Sequence, residues 1–217
     1  MDHGLDRKRT NKRIFRKNKK FFLWQIFTIV NLRNSMKLLA IELPGPKLID
    51  SGVYDDRRGS FCTVYSEDDY FELGIETKFC QDSYSISCRS TIRGLHYQNP
   101  FAQGKIVTVL RGKIWDVILD IRTDSINFAR WTGIFLSANS GQHLWIPPGF
   151  AHGFQVVSNE DAIVAYKLTE HRHAPSEGII SWNDAALGID WPIKNPILSE
   201  RDSAAHDLEN ALNLPRN

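Results

Sequence analysis

Cysteine is scarce: the chain of 217 residues has three, Cys62, Cys80 and Cys88. An odd, sparse set without Cys-x-x-Cys spacing supports neither a disulfide framework nor a thiolate zinc site. It points to a reducing, cytoplasmic setting. Long apolar runs are also missing. The stretch Phe21–Val30 falls short of the roughly 20 residues a membrane-spanning helix needs, so stable membrane insertion is not expected. Positive charge precedes that stretch, as in a signal peptide, but the residues that follow, Asn31-Leu-Arg-Asn-Ser35, contain no small-residue cleavage site. Clustered histidines with a carboxylate, a usual metal-holding set, are not evident. The nearest spacing, His171-Arg172-His173, has no supporting carboxylate motif, and no metal is expected.

What is present divides into two parts. Residues 1–35 carry ten Lys or Arg against two Asp or Glu, a net charge of +8, whereas the rest carries 17 against 23, a net charge of −6. The highly charged Arg7–Lys20 stretch has too little apolar material to form a core and is expected to be disordered. A basic segment suits nucleic acid or anionic lipid, but no DNA-reading motif surrounds it, and no nucleic-acid partner is expected. Met36 reads as an alternative start, followed by the strand-like Lys37-Leu-Leu-Ala-Ile-Glu-Leu-Pro44. Residues 1–35 are therefore read as an appendage or start-site artefact, and 36–217 as one domain, a length sufficient for a well-buried core.

The body reads as all-β. Helical periodicity is scarce from Met36 to Leu168, while short strand-like runs recur between turn signals, as in a sandwich or barrel. Lys105–Leu110 ends at Arg111-Gly112, and Lys113–Ile121 follows, which predicts a hairpin. In the second run Trp115, Val117, Leu119 and Ile121 share one face; Ile114, Asp116, Ile118 and Asp120 share the other. Further strands are expected at Ile134–Leu136, Gln142–Ile146, Phe150–Val157 and Ala162–Leu168, with a turn at Pro147-Pro-Gly149. A longer helix is expected from about Ser199.

Several polar residues stand out. In a regular strand, Arg93 and His96 of Arg93-Gly-Leu-His-Tyr-Gln98 would face opposite ways. Both can serve one cavity only if the chain bulges, and Gly94 is the residue that permits it. Phe150, His152 and Phe154 alternate onto one face, which becomes a ligand-binding surface if it lines a barrel. Lys105 and Asp116 sit on the two arms of the expected hairpin, where an ion pair is the ordinary explanation. Tyr166 can be a plain strand aromatic. Ser199-Glu-Arg-Asp202 is a helix-capping pattern, and only a histidine partner would give Asp202 more to do.

Taken together, these segments resemble the dTDP-4-dehydrorhamnose 3,5-epimerases. The resemblance rests on Arg93-Gly-Leu-His-Tyr-Gln98, Lys105-Ile-Val107, Gly112-Lys-Ile-Trp-Asp-Val117, Ile146-Pro-Pro-Gly-Phe-Ala-His-Gly-Phe154, Trp182-Asn-Asp184 with Leu187-Gly-Ile-Asp-Trp-Pro192, and Leu198-Ser-Glu-Arg-Asp202, in order, over roughly Met36 to Ala205. It implies a cupin-type jelly-roll β-barrel with short C-terminal helices and a homodimer. The implied substrate is a nucleotide-linked 4-keto-6-deoxyhexose, with no metal and no organic cofactor. By the same resemblance, His96 is the base, Asp202 its carboxylate partner, Tyr166 the acid and Lys105 the stabiliser of the enolate. Arg58 and Arg93 would hold the diphosphate, and Gln81 and His152 line the pocket; Asp116 and His171 join the substrate-binding set.

The chemistry is consistent with that assignment. Hydrogens on carbons 3 and 5 are both α to the 4-ketone, so the substrate is its own electron sink. The protein must supply a base, an acid on the opposite face and positive charge at the developing oxyanion. Three positions depart from the family pattern: His171 replaces a second tyrosine, Ser83 an asparagine and Thr63 a glutamate. They leave three alternatives to double epimerisation: inversion of one carbon, a ketoisomerase sharing the enolate, or a non-catalytic sugar-nucleotide-binding cupin. A binding module has no use for a base–acid pair, which argues for catalysis.

Overall fold

The computed structural model describes residues 36–216. The basic segment 1–35 and the expectations attached to it lie outside the described residues. The strands are β1 (Lys37–Leu39), β2 (Lys47–Asp50), β3 (Tyr54–Asp56), β4 (Gly59–Phe61), β5 (Gln81–Ser87), β6 (Ile92–Gln98), β7 (Lys105–Arg111), β8 (Lys113–Asp120), β9 (Trp131–Ser137), β10 (Gln142–Ile146), β11 (Phe150–Val156), β12 (Ala162–Leu168) and β13 (Glu177–Ile179). Two short helices accompany them, α1 (Glu67–Glu72) and α2 (Glu200–Ser203).

One sheet has the order β1-β2-β10-β7-β12-β5, the other β13-β6-β11-β8-β9. From β5 to β12 the chain changes sheet at every step except the β8–β9 hairpin, which is jelly-roll topology. Among the described residues no strand pair links the two sheets, so the jelly roll is a sandwich not closed into a barrel.

The hairpin expected at Arg111-Gly112 does not form. β7 pairs with β10 and β12, whereas β8 pairs with β11 and β9. Gly112, at φ +78°, carries the chain from one sheet to the other in a confined turn. A Cβ there would come within 2.7 Å of Ser158 Oγ and 3.1 Å of the Asp161 carbonyl. Each strand then finds a ladder partner on both edges inside its own sheet, which one hairpin partner cannot provide.

The alternation in β8 holds, but both of its faces are buried. Ile114 and Ile118 join Val107, Val109, Leu144, Phe154 and Val164 in the core between the sheets. Val117, Leu119 and Ile121 turn outward and are covered by Ile180, Leu187, Trp191 and Leu208 of the C-terminal segment. Burying each such aliphatic side chain contributes about 1.5–3 kcal/mol before entropy is counted. On the other sheet α1 helps cover the outer face: Tyr70 packs with Met36, Ile49, Ile106 and Trp145. α1 was not foreseen, although Ser66 caps it and three acidic residues fill its first turn. The helix expected from Ser199 is a single turn. The chain leaves it to place His206 in a bridge with Ile180 against the sheet.

The bulge anticipated at Gly94 is present. His96 pairs with His152 and Arg93 with Phe154, so β6 carries one residue more than β11 between these pairs. Gly94 sits at φ +115°, and a Cβ there would lie 2.6 Å from both Gly153 Cα and the His152 carbonyl. Two backbones meet where no side chain fits. Gly94→Ala should therefore cost about 3 kcal/mol, combining a strained dihedral with a backbone clash. Gly52→Ala, at positive φ but with no atom within 4 Å of the built Cβ, should cost about 1 kcal/mol. Urea unfolding of both variants measures the difference, and equal losses would contradict the close-approach account.

Candidate active site

The bulge turns Arg93 and His96 toward the same interior. From the opposite sheet, Lys105 and Tyr166 face them. Lys105 pairs with Leu168 and Val107 with Tyr166, so Lys105 and Tyr166 are diagonal neighbours on one face. Phe150, His152 and Phe154 pair with Asp120, Ile118 and Asp116, which sets all six on the inner face of the other sheet. A cavity of about 300 Å³ is lined by His96, Gln98, Lys105, Tyr166, Arg172 and Arg201, with further contacts from neighbouring residues. That volume suits a small-molecule site.

His96 Nε2 lies 2.6 Å from Asp202 Oδ1, across 106 residues of sequence. Asp202 is almost fully buried, whereas the His96 side chain is 41% exposed, open to the cavity. Burial alone would raise the Asp202 pKa. Hydrogen bonds from His96, Ser199 Oγ and the Gly94 backbone N–H outweigh it and hold the carboxyl below its ordinary value. An ionised carboxylate only accepts, so His96 donates through Nε2–H, which leaves Nδ1 as the ring nitrogen directed away from Asp202. The capping role is real as well: Ser199 Oγ accepts from the Asp202 N–H at 3.0 Å and donates to Asp202 Oδ2 at 2.8 Å. Asp202 thus serves both as cap and as histidine partner.

Asp116 does not pair with Lys105 across a hairpin, because β7 and β8 lie in different sheets. Its Oδ2 accepts from His152 Nε2 at 2.9 Å. Burial lowers the His152 pKa despite the nearby carboxyl, leaving a neutral donor. Asp116 Oδ1 is buried without a hydrogen-bond partner. Lys105 retains some contact with cavity solvent, yet its enclosure brings its pKa down to about 8, against the opposing pull of Asp116 and Glu177. Tyr166 is pushed the other way, to about 12, by burial above all, with Asp116 adding to the rise. Its hydroxyl lies 3.1 Å from Ser85 Oγ. At neutral pH the phenol is protonated.

The remaining expected residues are placed less centrally. Arg93 Nε donates to Ser87 Oγ at 2.8 Å, and Nη2 to the Ile86 carbonyl; the same guanidinium acts on Tyr166 through space. Gln81 Nε2 donates to Ser83 Oγ, while Gln81 Oε1 accepts from the Arg172 N–H. Arg58 lies in the turn between β3 and β4, with an 85% exposed side chain held by Asp56, outside the cavity lining. His171 is exposed, and the adjoining Arg172 lines the cavity in its stead. Sequence reasoning missed Arg172, Glu177 and Arg201, which form a cluster at the cavity. Arg172 Nε donates to Glu177 Oε1 at 2.7 Å, and Arg201 Nη1 to Glu177 Oε2 at 2.5 Å. No local motif announces Glu177; β13 reaches the site by pairing with β6. Among the described residues no group of three or more His, Cys, Asp or Glu is arranged to hold a metal ion, and no helix is long and apolar enough to cross a membrane.

A histidine paired with a carboxylate, an opposing tyrosine and an enclosed ammonium form an arrangement chemically suited to proton transfer. The family model described as dTDP-4-dehydrorhamnose 3,5-epimerase matches residues 40–210. The chain belongs to the dTDP-4-dehydrorhamnose 3,5-epimerase family. It is 42% identical over 169 residues to the dTDP-4-dehydrorhamnose 3,5-epimerase of Methanothermobacter thermautotrophicus, covering 76% of this chain and 91% of that relative. With the enzyme of the same name from Salmonella typhimurium it shares 42% identity over 180 residues, or 82% of this chain and 98% of the relative. Among solved structures, dTDP-6-deoxy-D-glucose-3,5-epimerase from Legionella pneumophila, in complex with dTDP-4-keto-L-rhamnose, superimposes with a TM-score of 0.80 at 41% identity, covering 84% of this chain and 98% of that one. Membership of this epimerase family makes the chain an isomerase-class enzyme.

The enclosure of Lys105 has a measurable thermodynamic signature. Its folded pKa of about 8 lies below the ordinary lysine value of 10.5, so between these values the unfolded chain binds more protons than the folded one. This contribution makes stability rise with pH through that window, and the burial penalty is fully present below it. Urea unfolding at pH 8 and pH 10 should show that rise in the native enzyme relative to Lys105→Met. An identical pH response in both proteins would show that the ammonium is not enclosed.

Proposed function

We propose that this epimerase converts dTDP-4-dehydro-6-deoxyglucose to dTDP-4-dehydrorhamnose by inverting carbons 3 and 5, using His96 as base and Tyr166 as acid. The observation that carries this reading is the convergence of His96, Lys105 and Tyr166 on one cavity, with Asp202 fixed behind the histidine. His96 Nδ1 takes the hydrogen of a carbon α to the ketone, and the C–H electron pair moves to form the enolate. The Lys105 ammonium stands beside the developing oxyanion in an enclosed setting, where a fixed charge is worth more than in water. Asp202 supports the imidazolium that forms. Tyr166 delivers a proton to the opposite face, inverting the carbon, and solvent exchange restores both groups before the second carbon reacts. The unpaired Asp116 Oδ1 is a buried acceptor suited to a sugar hydroxyl.

Arg93 and Arg58 are assigned to the diphosphate, for which a guanidinium fork is suited. Gln81, His152 and the His171 segment are assigned to the surrounding pocket. A homodimer is part of the proposal. It is supported by the exposed Tyr84, Ile86 and Leu110 on the outer face of the six-stranded sheet, beside an apolar groove that also includes Val64, Tyr65 and Ile106. Free thiols at Cys62, Cys80 and Cys88 support a reducing cytoplasmic location. The active domain is assigned to residues 36–217.

Incubation in D₂O with dTDP-4-keto-6-deoxyglucose should place deuterium at carbons 3 and 5, located by NMR and counted by mass spectrometry. Label at one carbon would replace double by single epimerisation or ketone migration, which the product's carbonyl position separates. No exchange would remove this substrate. His96→Ala should lower turnover by about 10³-fold, within the range for general acid–base groups, while nucleotide binding persists. Tyr166→Phe should impair product formation more than exchange; equal loss of both would make Tyr166 a substrate-positioning group. Deletion of residues 1–35 should leave turnover unchanged.

A further inference from the structure

Asp202 sits on α2, a single turn of four residues, and a turn this short has no stability of its own. Backbone bridges at Ile197 and His206 pin the chain on either side, and the turn between them is oriented by what its side chains grip. Asp202 reaches the base, and the adjoining Arg201 reaches Glu177. Glu177 lies on β13, paired with Gln98 of β6, while Ile179 pairs with His96 itself. The strand that carries the base therefore has a neighbour holding the turn that carries the base's partner. Glu177 also bonds Arg172 through Nε and Nη2, at 2.7 and 3.1 Å. The Glu177 side chain is only 18% exposed, and it remains charge-paired when Arg201 is removed.

We propose that Arg201 and Glu177 are positioning residues whose ion pair fastens α2 beside β6 and so keeps Asp202 on His96 Nε2. The proposal rests on His96 being the catalytic base. An exposed ion pair is ordinarily worth little. Here it acts through geometry, since a small rotation of α2 removes the 2.6 Å contact that selects the histidine tautomer. The arrangement extends outward the logic of a carboxylate holding an imidazole: a second group holds the carboxylate.

The test uses Arg201→Ala, Arg201→Lys and Asp202→Asn in the full chain, with kinetics and ¹⁵N-histidine NMR. Arg201→Ala should lower kcat by about 10-fold, the lower end of what outer supporting groups contribute, with KM unchanged, and Arg201→Lys should recover most of the loss. In the Asp202→Asn background, Arg201→Ala should cost nothing further, because both changes break one linkage. The His96 ring nitrogens should show a protonated Nε2 in the native protein and a mixture of tautomers in Arg201→Ala. A loss carried by KM and additive with Asp202→Asn would overturn the proposal in favour of substrate contact by Arg201. An unchanged His96 spectrum in Arg201→Ala would overturn it even if turnover fell. The spectrum is read without substrate, so failure of the proposed substrate to react would not be mistaken for failure of the brace.

Discussion

The site depends on the meeting of two backbones at Gly94 and Gly153. Because a Cβ on either glycine would collide with the other strand at under 3 Å, β6 and β11 approach where a side chain would hold them apart. The extra residue in β6 sets Arg93 and His96 on one face, instead of the opposite faces that regular pleating dictates. Without that irregularity His96 and Arg93 could not face the same side of the sheet. The bulge also presents the Gly94 N–H to Asp202, so the distortion that aims His96 helps to hold its partner.

Around this point the protein separates the acid–base properties of neighbouring groups by environment. Enclosure weakens the basicity of Lys105 and the acidity of Tyr166, and carboxyls nearby oppose the first effect and reinforce the second. Asp202 escapes the usual consequence of burial because three donors converge on it. The result is a phenol that holds its proton and an ammonium between the sheets, beside a histidine tied to an ionised carboxylate. Charged and polar groups occupy the inner layer, while Val107, Val109, Ile114 and Phe154 supply the packing that fixes them.

Much of this was legible in the chain. Strand periodicity places β7, β8, β10, β11 and β12 nearly residue for residue, since their apolar positions and Gly or Pro turns agree; of β9 it marks only the middle, Ile134–Leu136, of a strand that runs Trp131–Ser137. The bulge could be anticipated from a glycine between two polar residues that otherwise face apart. Pairing could not. The Arg111-Gly112 turn has hairpin chemistry, yet sheet-crossing at Gly112 is decided by partners that arrive from β9 to β12, a non-local choice no short window contains. The same limit hid Glu177, which matters only through its pairing with β6, and Arg172, whose neighbours His171 and His173 drew attention from it. Asp202 was ambiguous because Ser199-Glu-Arg-Asp202 encodes a cap whether or not a histidine waits beside it.

The contact between His96 and Asp202 also orders events along the chain as it is made. Both sheets are complete once β13 has emerged at Ile179, and by then His96, Lys105 and Tyr166 all have their strands. The carboxylate arrives later, on the segment that also covers the outer face of the five-stranded sheet. A chain stopped after β13 would possess its full strand inventory and a His96 without its carboxylate. Closing the outer core and pairing His96 are thus one step, taken by the same last stretch of polypeptide.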